Sequence, residues 1–169
     1  MSRDVQTEIH VDHDGHWCNG ESRIINDGIL SFFRANLYRW ADDRYFIFNE
    51  FRGMSEKGWL RAVKGFPLQA TSVEIDTSDD LLLITLDNGV VIKRSPDQVF
   101  ISEADQESAQ VWTYLQIEEQ PALHGKKPIA LRLLPKASSP LYECMEYEAG
   151  NLVLQLSNKH RLELRHPDF

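Results

Sequence analysis

The pattern that most constrains the fold is a β-hairpin signature in the middle of the chain. Residues 81–94 read LLLITLDNGVVIKR, two apolar runs separated by Asn88-Gly89. Asn-Gly suits a tight turn between antiparallel strands, so this segment predicts a hairpin. Similar patterns predict a first hairpin over residues 8–18 and a last one over residues 151–166, turning near Asn158. We therefore expect a chain rich in antiparallel strands.

The first hairpin contains Asp14-Gly15, which predicts a two-residue type I′ turn. That turn would place His13 opposite His16. It would also place Val11 opposite Cys18 and allow the neighbouring Trp17 to pack inward.

Two segments carry helix signatures. In the first, Ile29, Leu30, Phe33 and Leu37 fall on one helical face, and Asn26 or Asp27 can cap the first turn. In the second, residues 138–148, a Ser-Pro pair is typical of a helix start, and Leu141 and Met145 follow at helical spacing. Residues 103–127 fit either a short helix or a strand, and both alternatives stay open.

The remaining segments complete an α+β fold of antiparallel hairpins packed with short helices. Further strands are predicted over residues 45–51, 56–63, 68–76, 95–102 and 128–134. The polar stretch DTSDD, residues 76–80, suggests a boundary between two small subdomains, 1–76 and 77–169.

The first half of the chain resembles a bacterial family of unknown function, DUF1285. The family opens with D-G-x-W, a glycine and an isoleucine, followed by an apolar helix, an aromatic strand and a Pro-Phe pair. The corresponding residues here are Asp14-Gly15-His16-Trp17, Gly20, Ile25, residues 29–33, Leu37, residues 45–48 and Phe66-Pro67. The family's Thr-Pro-x-Glu is replaced by residues 49–52, NEFR, and its arginine after the isoleucine by Asn26.

This resemblance, clearest over residues 9–67, implies a two-domain α+β fold with a cleft between the domains. It also implies a small, nucleotide-like ligand and a signalling role. It supplies no catalytic residue.

Charge and cysteine content narrow the classes of partner. The formal net charge of −8 disfavours nucleic acid and anionic membranes as partners. Two cysteines, Cys18 and Cys144, form neither a disulfide framework nor a zinc motif, and they suit a reducing compartment. The first residues lack the apolar core of a signal peptide, and the longest apolar run is LLLI at residues 81–84. A soluble cytoplasmic protein is expected.

Three histidines near the N-terminus raise the question of a metal site. His13 and His16 flank the predicted turn and, with Asp14, could hold zinc or copper at the surface, while His10 lies further along the strand. The alternative, which the spacing favours, is a solvent-exposed hairpin. His16 and Cys18 would share a strand face. Cys18 could then be a thiolate nucleophile activated by His16, or a small apolar residue that fills the core.

Arginine and aromatic residues concentrate between residues 39 and 59. The guanidinium group binds phosphate or carboxylate, and aromatic rings stack on bases. The predicted ligand-binding set is Arg39, Arg44, Tyr45, Asn49, Arg52, Trp59 and Arg132, with Trp40 beside it. The alternative is that Trp40 and Trp59 anchor the core while the arginines lie at the surface. Adjacent acids such as Asp42-Asp43 are expected to be solvated.

No nucleophile elbow, zinc-protease motif, Walker loop or dinucleotide-binding glycine motif is present, and no cofactor is predicted. The favoured function is therefore a non-enzymatic ligand-binding or regulatory protein that takes a small anionic or nucleotide-like ligand in an interdomain cleft. The alternatives are a metal-dependent enzyme using the N-terminal histidines and a protein–protein interaction module. A homodimer is also among the expectations.

Overall fold

The computed structural model describes residues 2–104, 108–120, 124–167 and 169. Strands dominate, with two short α-helices, so the predicted α+β class is confirmed. The chain forms two compact units, one from Met1–Leu68, Tyr114–Ala130 and Phe169, the other from Gln69–Thr113 and Leu131–Asp168. The chain thus passes between the units several times. The predicted subdomains, 1–76 and 77–169, would instead meet at a single boundary, and this division stays a prediction.

The first unit contains two four-stranded sheets and one helix. Its elements are β1 (Ser2–Gln6), β2 (Ile9–Val11), β3 (Trp17–Asn19), β4 (Ser22–Arg23), α1 (Asp27–Ala35), β5 (Leu37–Arg39), β6 (Tyr45–Phe51), β7 (Met54–Trp59) and β8 (Ala62–Val63). One sheet has the order β1-β7-β6-β5, and the other has the order β4-β3-β2-β8. The strand predicted over residues 45–51 is therefore confirmed.

Alternation along β6 explains the small core of the first sheet. Phe46 pairs with Tyr38 on one side and with Trp59 on the other, and all three rings are buried together. Tyr45 points to the opposite face with its partner Arg39, because successive side chains of a strand alternate between faces. The sheet therefore separates an aromatic cluster from the face that carries Arg39 and Tyr45.

The first hairpin forms, but the predicted type I′ turn is wrong. Val11 pairs with Trp17, one residue out of the predicted register. Of the two turn residues, only Gly15 has a positive φ, of 83°, whereas a type I′ turn needs positive φ at both. The Asp12 N–H donates to the His16 carbonyl at 3.0 Å, which encloses a three-residue loop. His13 consequently lies in the loop, and Asp12 lies opposite His16.

The carboxylate of Asp12 holds this loop together. Its Oδ1 accepts from the backbone N–H of Asp14 at 3.0 Å and of His16 at 2.8 Å, and its Oδ2 lies 3.3 Å from His16 Nδ1. Burial raises the pKa of Asp12, but the hydrogen bonds and charge of His16, with the Asp14 N–H, outweigh it and hold the pKa below its ordinary value of 3.8. The loop therefore depends on an ionised Asp12.

We expect Asp12→Ala to lower the free energy of unfolding by about 1–2 kcal/mol at neutral pH, because the loop N–H groups lose their acceptor. A lowered folded-state pKa means that this contribution is fully present above the unfolded-state pKa and is lost as the pH falls through the folded-state value. The difference between variant and wild type should accordingly shrink in acid. Urea unfolding at about pH 7 and about pH 2.5 measures it, with the exposed Asp79→Ala as control. A difference that grows in acid would contradict this account.

Helix α1 starts as predicted and ends earlier than predicted. The Asn26 side chain accepts from the Ile29 N–H at 3.0 Å, which confirms it as the N-cap. Leu37, predicted on the helical face, lies instead in β5 and is buried opposite Ile47. The Asn36 side chain donates to the Phe32 carbonyl at 2.8 Å, and this C-cap ends the helix before Leu37. Within the described residues, no helix is long and apolar enough to cross a membrane.

The second unit is built on a larger sheet. The further strands are β9 (Leu68–Asp76), β10 (Leu81–Leu86), β11 (Val91–Arg94), β12 (Phe100–Ala104), β13 (Ser108–Leu115), β14 (Ile129–Leu133), β15 (Met145–Glu148), β16 (Asn151–Gln155), β17 (Lys159–Arg161) and β18 (Glu163–Leu164), and the helix α2 is Ser139–Glu143. Seven of them follow the order β11-β10-β9-β14-β13-β12-β18, and β15-β16-β17 form a separate sheet. Met145, predicted in the second helix, begins β15 instead.

The middle and last hairpins are confirmed. Leu86 and Val90 close the loop around Asn88-Gly89, and Gln155 pairs with Lys159 at the last turn. For residues 103–127 the structure contains a strand, β13, and a 3-10 turn at Ile117–Glu119, whereas residues 105–107 and 121–123 lie outside the described residues.

Candidate functional site

A pocket of about 210 Å³ lies in the first unit. Its polar lining consists of Asp43, Arg44, Tyr45 and Arg61, and its apolar lining includes Leu60, Val63 and Phe169. Two backbone hydrogen bonds join the segments that form it. The Leu60 N–H donates to the Tyr45 carbonyl at 2.9 Å, and the Arg61 N–H donates to the Ile9 carbonyl at 2.7 Å. The pocket walls are thus fixed by the strands behind them.

Within the described residues, the side-chain hydrogen bonds of the two pocket arginines go to exposed carboxylates. The Arg44 Nε donates to Asp42 at 2.8 Å, and its guanidinium carbon lies 4.2 Å from the centre of the Trp59 ring. The Arg61 Nη1 donates to Glu8 at 3.0 Å. Exposed ion pairs of this kind contribute little to stability, so an incoming anion can compete for these guanidinium groups. The other N–H groups of both arginines have no hydrogen-bond acceptor among the described residues.

Asp43 connects the pocket to a buried arginine. Arg39 is only 4% exposed, and its Nη2 donates to Asp43 Oδ1 at 2.7 Å. Lys127 Nζ donates to the same oxygen at 2.7 Å. The hydrogen bond from Lys127, helped by the charges of Arg39 and Lys127, outweighs burial and lowers the pKa of Asp43. The expectation that Asp42-Asp43 is merely solvated is therefore wrong for Asp43.

The predicted ligand-binding residues divide between the pocket and other places. Arg44 and Tyr45 line the pocket, and Arg39 lies behind it, its guanidinium carbon 5.6 Å from the Tyr45 ring centre. Trp59 is buried beneath Arg44, and its indole Nε1 donates to Asp4 at 3.2 Å. The structure thus brings Arg44 and Tyr45 to the pocket with Arg39 behind it, whereas Trp59 contacts Arg44 from the other face of the sheet.

The other three lie apart from the pocket lining. Asn49 is exposed on β6, and Arg52 lies in the turn after β6, its guanidinium carbon 5.0 Å from the Phe51 ring centre. Arg132 belongs to β14 in the second unit. Trp40 is half-buried, with Lys57 Nζ at 4.6 Å and Lys126 Nζ at 5.5 Å from its ring centre.

Arg61 and Asp43 belong to the pocket but not to the predicted set. Arg61 lies in the weak strand signal of residues 56–63, two residues after the aromatic Trp59, and this nearby aromatic residue is the clue that the sequence offers. Asp43 has a positive φ of 68°, which turns the chain sharply before Arg44. The position of Arg61 does not follow from local pattern, because the long-range pairing of β8 with β2 sets it, whereas Asp43 lies in the local turn between β5 and β6.

The first hairpin gathers metal-ligating groups in a different combination from the predicted one. Ligand atoms of Asp12, Asp14 and His16 lie within 4.8 Å of one another, whereas His13 is not in this group. Both oxygens of Asp12 already accept hydrogen bonds within the loop. Burial, followed by the charge of Asp12, raises the pKa of the Cys18 thiol, which disfavours a thiolate beside His16. A metal bound by His13 and His16 stays a prediction.

Helix α1 and the residue before its N-cap present apolar side chains to solvent. Ile25 is 81% exposed, and Ile29 and Phe32 are also exposed. The predicted interaction module would use an exposed hairpin edge or an apolar patch such as this one, and both it and the predicted homodimer stay predictions.

Comparison with known proteins identifies the fold. No family model and no curated protein matches the sequence. A solved DUF1285 family protein from Silicibacter pomeroyi DSS-3 superposes with a TM-score of 0.65 at 17% identity, covering 96% of this chain and 82% of that one. The chain has the fold of this DUF1285 protein. The predicted resemblance to DUF1285 is thereby confirmed as a distant resemblance of fold.

A second DUF1285 family protein, from Shewanella baltica OS155, has a TM-score of 0.49 at 17% identity, covering 81% of this chain and 91% of that one. DUF1285 is by its name a family of unknown function, so the pocket of the first unit is the starting point for a functional proposal.

Proposed function

We propose that this protein binds a small anionic ligand in the pocket of the first unit and acts as a ligand-binding or regulatory protein. The observation that supports this most directly is the pair of arginines, Arg44 and Arg61, among the residues that line one pocket. Guanidinium groups present planar, paired N–H donors that match the oxygens of carboxylate and phosphate. Their present partners are exposed carboxylates, which an anion can displace at low cost.

The size of the pocket favours a small anion over a nucleotide. Sites for drug-sized ligands usually measure about 300–1,000 Å³, whereas this pocket measures about 210 Å³. A phosphate group or a short carboxylic acid can be enclosed, while most of a nucleotide would extend into solvent. The ligand would lie within the first unit, so its binding does not require a cleft between domains.

A regulatory role follows from the same site without any reaction. A ligand shifts a conformational equilibrium only by its difference in affinity for the two states. Binding at Arg61 and Tyr45 would stabilise the contact between the segment after β7 and the start of β6. We propose that this stabilisation is the signal that a partner reads.

The experiment is an NMR titration of the protein with inorganic phosphate, sulfate and acetate at constant ionic strength. Backbone signals of residues 43–45 and 60–63 should shift in a saturable way with at least one of these anions. We expect Arg44→Ala and Arg61→Ala each to weaken that binding about tenfold, which corresponds to the loss of one charge-assisted hydrogen bond.

The control variant is Arg165→Ala, in the second unit. Arg165 Nη2 donates to Glu163 at 2.7 Å, and its guanidinium carbon lies 4.4 Å from the Phe100 ring centre. It therefore matches Arg44 in its ion pair and its aromatic neighbour, but it does not line the pocket. An unchanged affinity in Arg44→Ala and Arg61→Ala, or an equal loss in Arg165→Ala, would reject the proposal.

A further inference from the structure

The pocket contains an acceptor as well as donors. Both hydrogen bonds to Asp43 reach the same oxygen, Oδ1, from Arg39 and from Lys127. The other oxygen, Oδ2, has no hydrogen-bond donor among the described residues. A carboxylate can accept about four hydrogen bonds, so Asp43 keeps capacity for a ligand.

Asp43 remains ionised in the range where most proteins work. The hydrogen bond from Lys127 and the nearby charges lower its pKa. An ionised carboxylate accepts hydrogen bonds but cannot donate one. It therefore attracts a ligand hydroxyl or ammonium group and repels a ligand carboxylate, which is left to Arg44 and Arg61.

The balance of charge around the pocket decides between hydroxyl and ammonium. The lining residues Asp43, Arg44 and Arg61, together with the side chains bonded to them, comprise four cations and three carboxylates. These are Arg39, Arg44, Arg61 and Lys127 against Glu8, Asp42 and Asp43. These side chains carry an excess of one positive charge, which a ligand with one negative charge and a neutral donor neutralises, whereas a zwitterion does not.

We propose that the pocket selects small hydroxy acids, with the carboxylate bound by Arg44 and Arg61 and the neighbouring hydroxyl donating to Asp43. This inference rests on the proposed anion binding and adds the chemical class of the ligand. The apolar surface of Leu60, Val63 and Phe169 accommodates a short hydrocarbon chain. A site built to bond a hydroxyl discriminates against the analogue that lacks it, because its polar group is then left without a partner.

Three probes that differ at one position test the assignment: 2-hydroxybutyrate, butyrate and 2-aminobutyrate. We expect 2-hydroxybutyrate to bind about tenfold more tightly than butyrate, because one additional charge-assisted hydrogen bond gives a difference in affinity of this size. It should also bind more tightly than 2-aminobutyrate. The NMR titration reports all three affinities on the same signals of residues 43–45 and 60–63.

The variant Asp43→Asn separates recognition from folding. Loss of the negative charge should strengthen the binding of butyrate or leave it unchanged, while the binding of 2-hydroxybutyrate weakens severalfold. A partly unfolded variant would weaken both. The control is Asp80→Asn, because Asp80 also has a positive φ, of 53°, and also accepts hydrogen bonds, from Ser157 and Asn158. Its preference for 2-hydroxybutyrate should match that of the wild type.

Equal affinities for 2-hydroxybutyrate and butyrate would overturn the hydroxy-acid assignment while leaving Arg44-dependent anion binding in place. Tighter binding of 2-aminobutyrate would overturn the choice of hydroxyl over ammonium. Absence of binding by any of these probes and by inorganic anions would instead remove the proposed function itself, so the two failures are distinguishable.

Discussion

Trp17→Ala is expected to lower the free energy of unfolding by about 3–5 kcal/mol, the usual cost of removing a large aromatic ring from a core. Trp17 is 1% exposed, and its ring centre lies 5.8 Å from that of Phe33. Its indole Nε1 also donates to the Pro67 carbonyl at 3.1 Å. The variant therefore leaves a cavity between the first hairpin and α1, and a buried carbonyl without its donor.

Urea unfolding followed by far-UV circular dichroism measures the effect without depending on tryptophan fluorescence. Trp17→Phe should keep most of the ring packing and lose chiefly the hydrogen bond, at about 1–2 kcal/mol. The half-buried Trp40 provides the control, since Trp40→Ala removes the same side chain from a more exposed position. Equal effects of Trp17→Ala and Trp40→Ala would show that Trp17 does not anchor this region.

The hairpins illustrate how far local pattern can predict this fold. Alternating apolar residues beside Asp14-Gly15 and apolar runs on either side of Asn88-Gly89 predict the strands, because a strand signal needs only such a pattern and a permissive turn. The register of the first hairpin is different by one residue, since Asp12 stabilises a longer loop through three hydrogen bonds. A two-residue turn with positive φ at both positions occurs instead at Arg52-Gly53, where the sequence has no Asn or Asp. Turn type therefore depends on side chains outside the turn dipeptide.

Local sequence pattern also fails to predict those residues of the candidate site that long-range contacts bring together. The density of arginine and aromatic residues between residues 39 and 59 points to a segment that includes Arg44 and Tyr45, and both line the pocket. Arg61 joins them only because the following strand β8 pairs in parallel with β2, far away in sequence. Lys127 reaches Asp43 across an even longer separation, at 2.7 Å. Composition can therefore predict some of the residues that line the pocket, but not its complete set of residues.

Gly65→Ala is the second substitution with a large expected effect. A Cβ atom at residue 65 would lie 2.5 Å from the Asp12 carbonyl oxygen and 2.6 Å from that of His13. These are backbone atoms of the first loop, and the Asp12 carbonyl is already bonded to the Gly15 N–H at 3.1 Å. Overpacking of this kind usually costs about 1–3 kcal/mol, and we expect the upper end because no flexible side chain can move aside.

The same substitution should also weaken anion binding at the pocket. Gly65 follows β8, and Val63 of that strand lines the pocket and pairs with Val11. A shift that relieves the collision at Gly65 must therefore move the wall beside Arg61. Gly58→Ala is the matched control, because its Cβ would meet Thr7 at an ordinary 3.4 Å. Urea unfolding and the phosphate titration should both change in Gly65→Ala and stay near wild type in Gly58→Ala. A destabilised Gly65→Ala that binds anions with wild-type affinity would show that the first loop supports the fold without positioning the pocket.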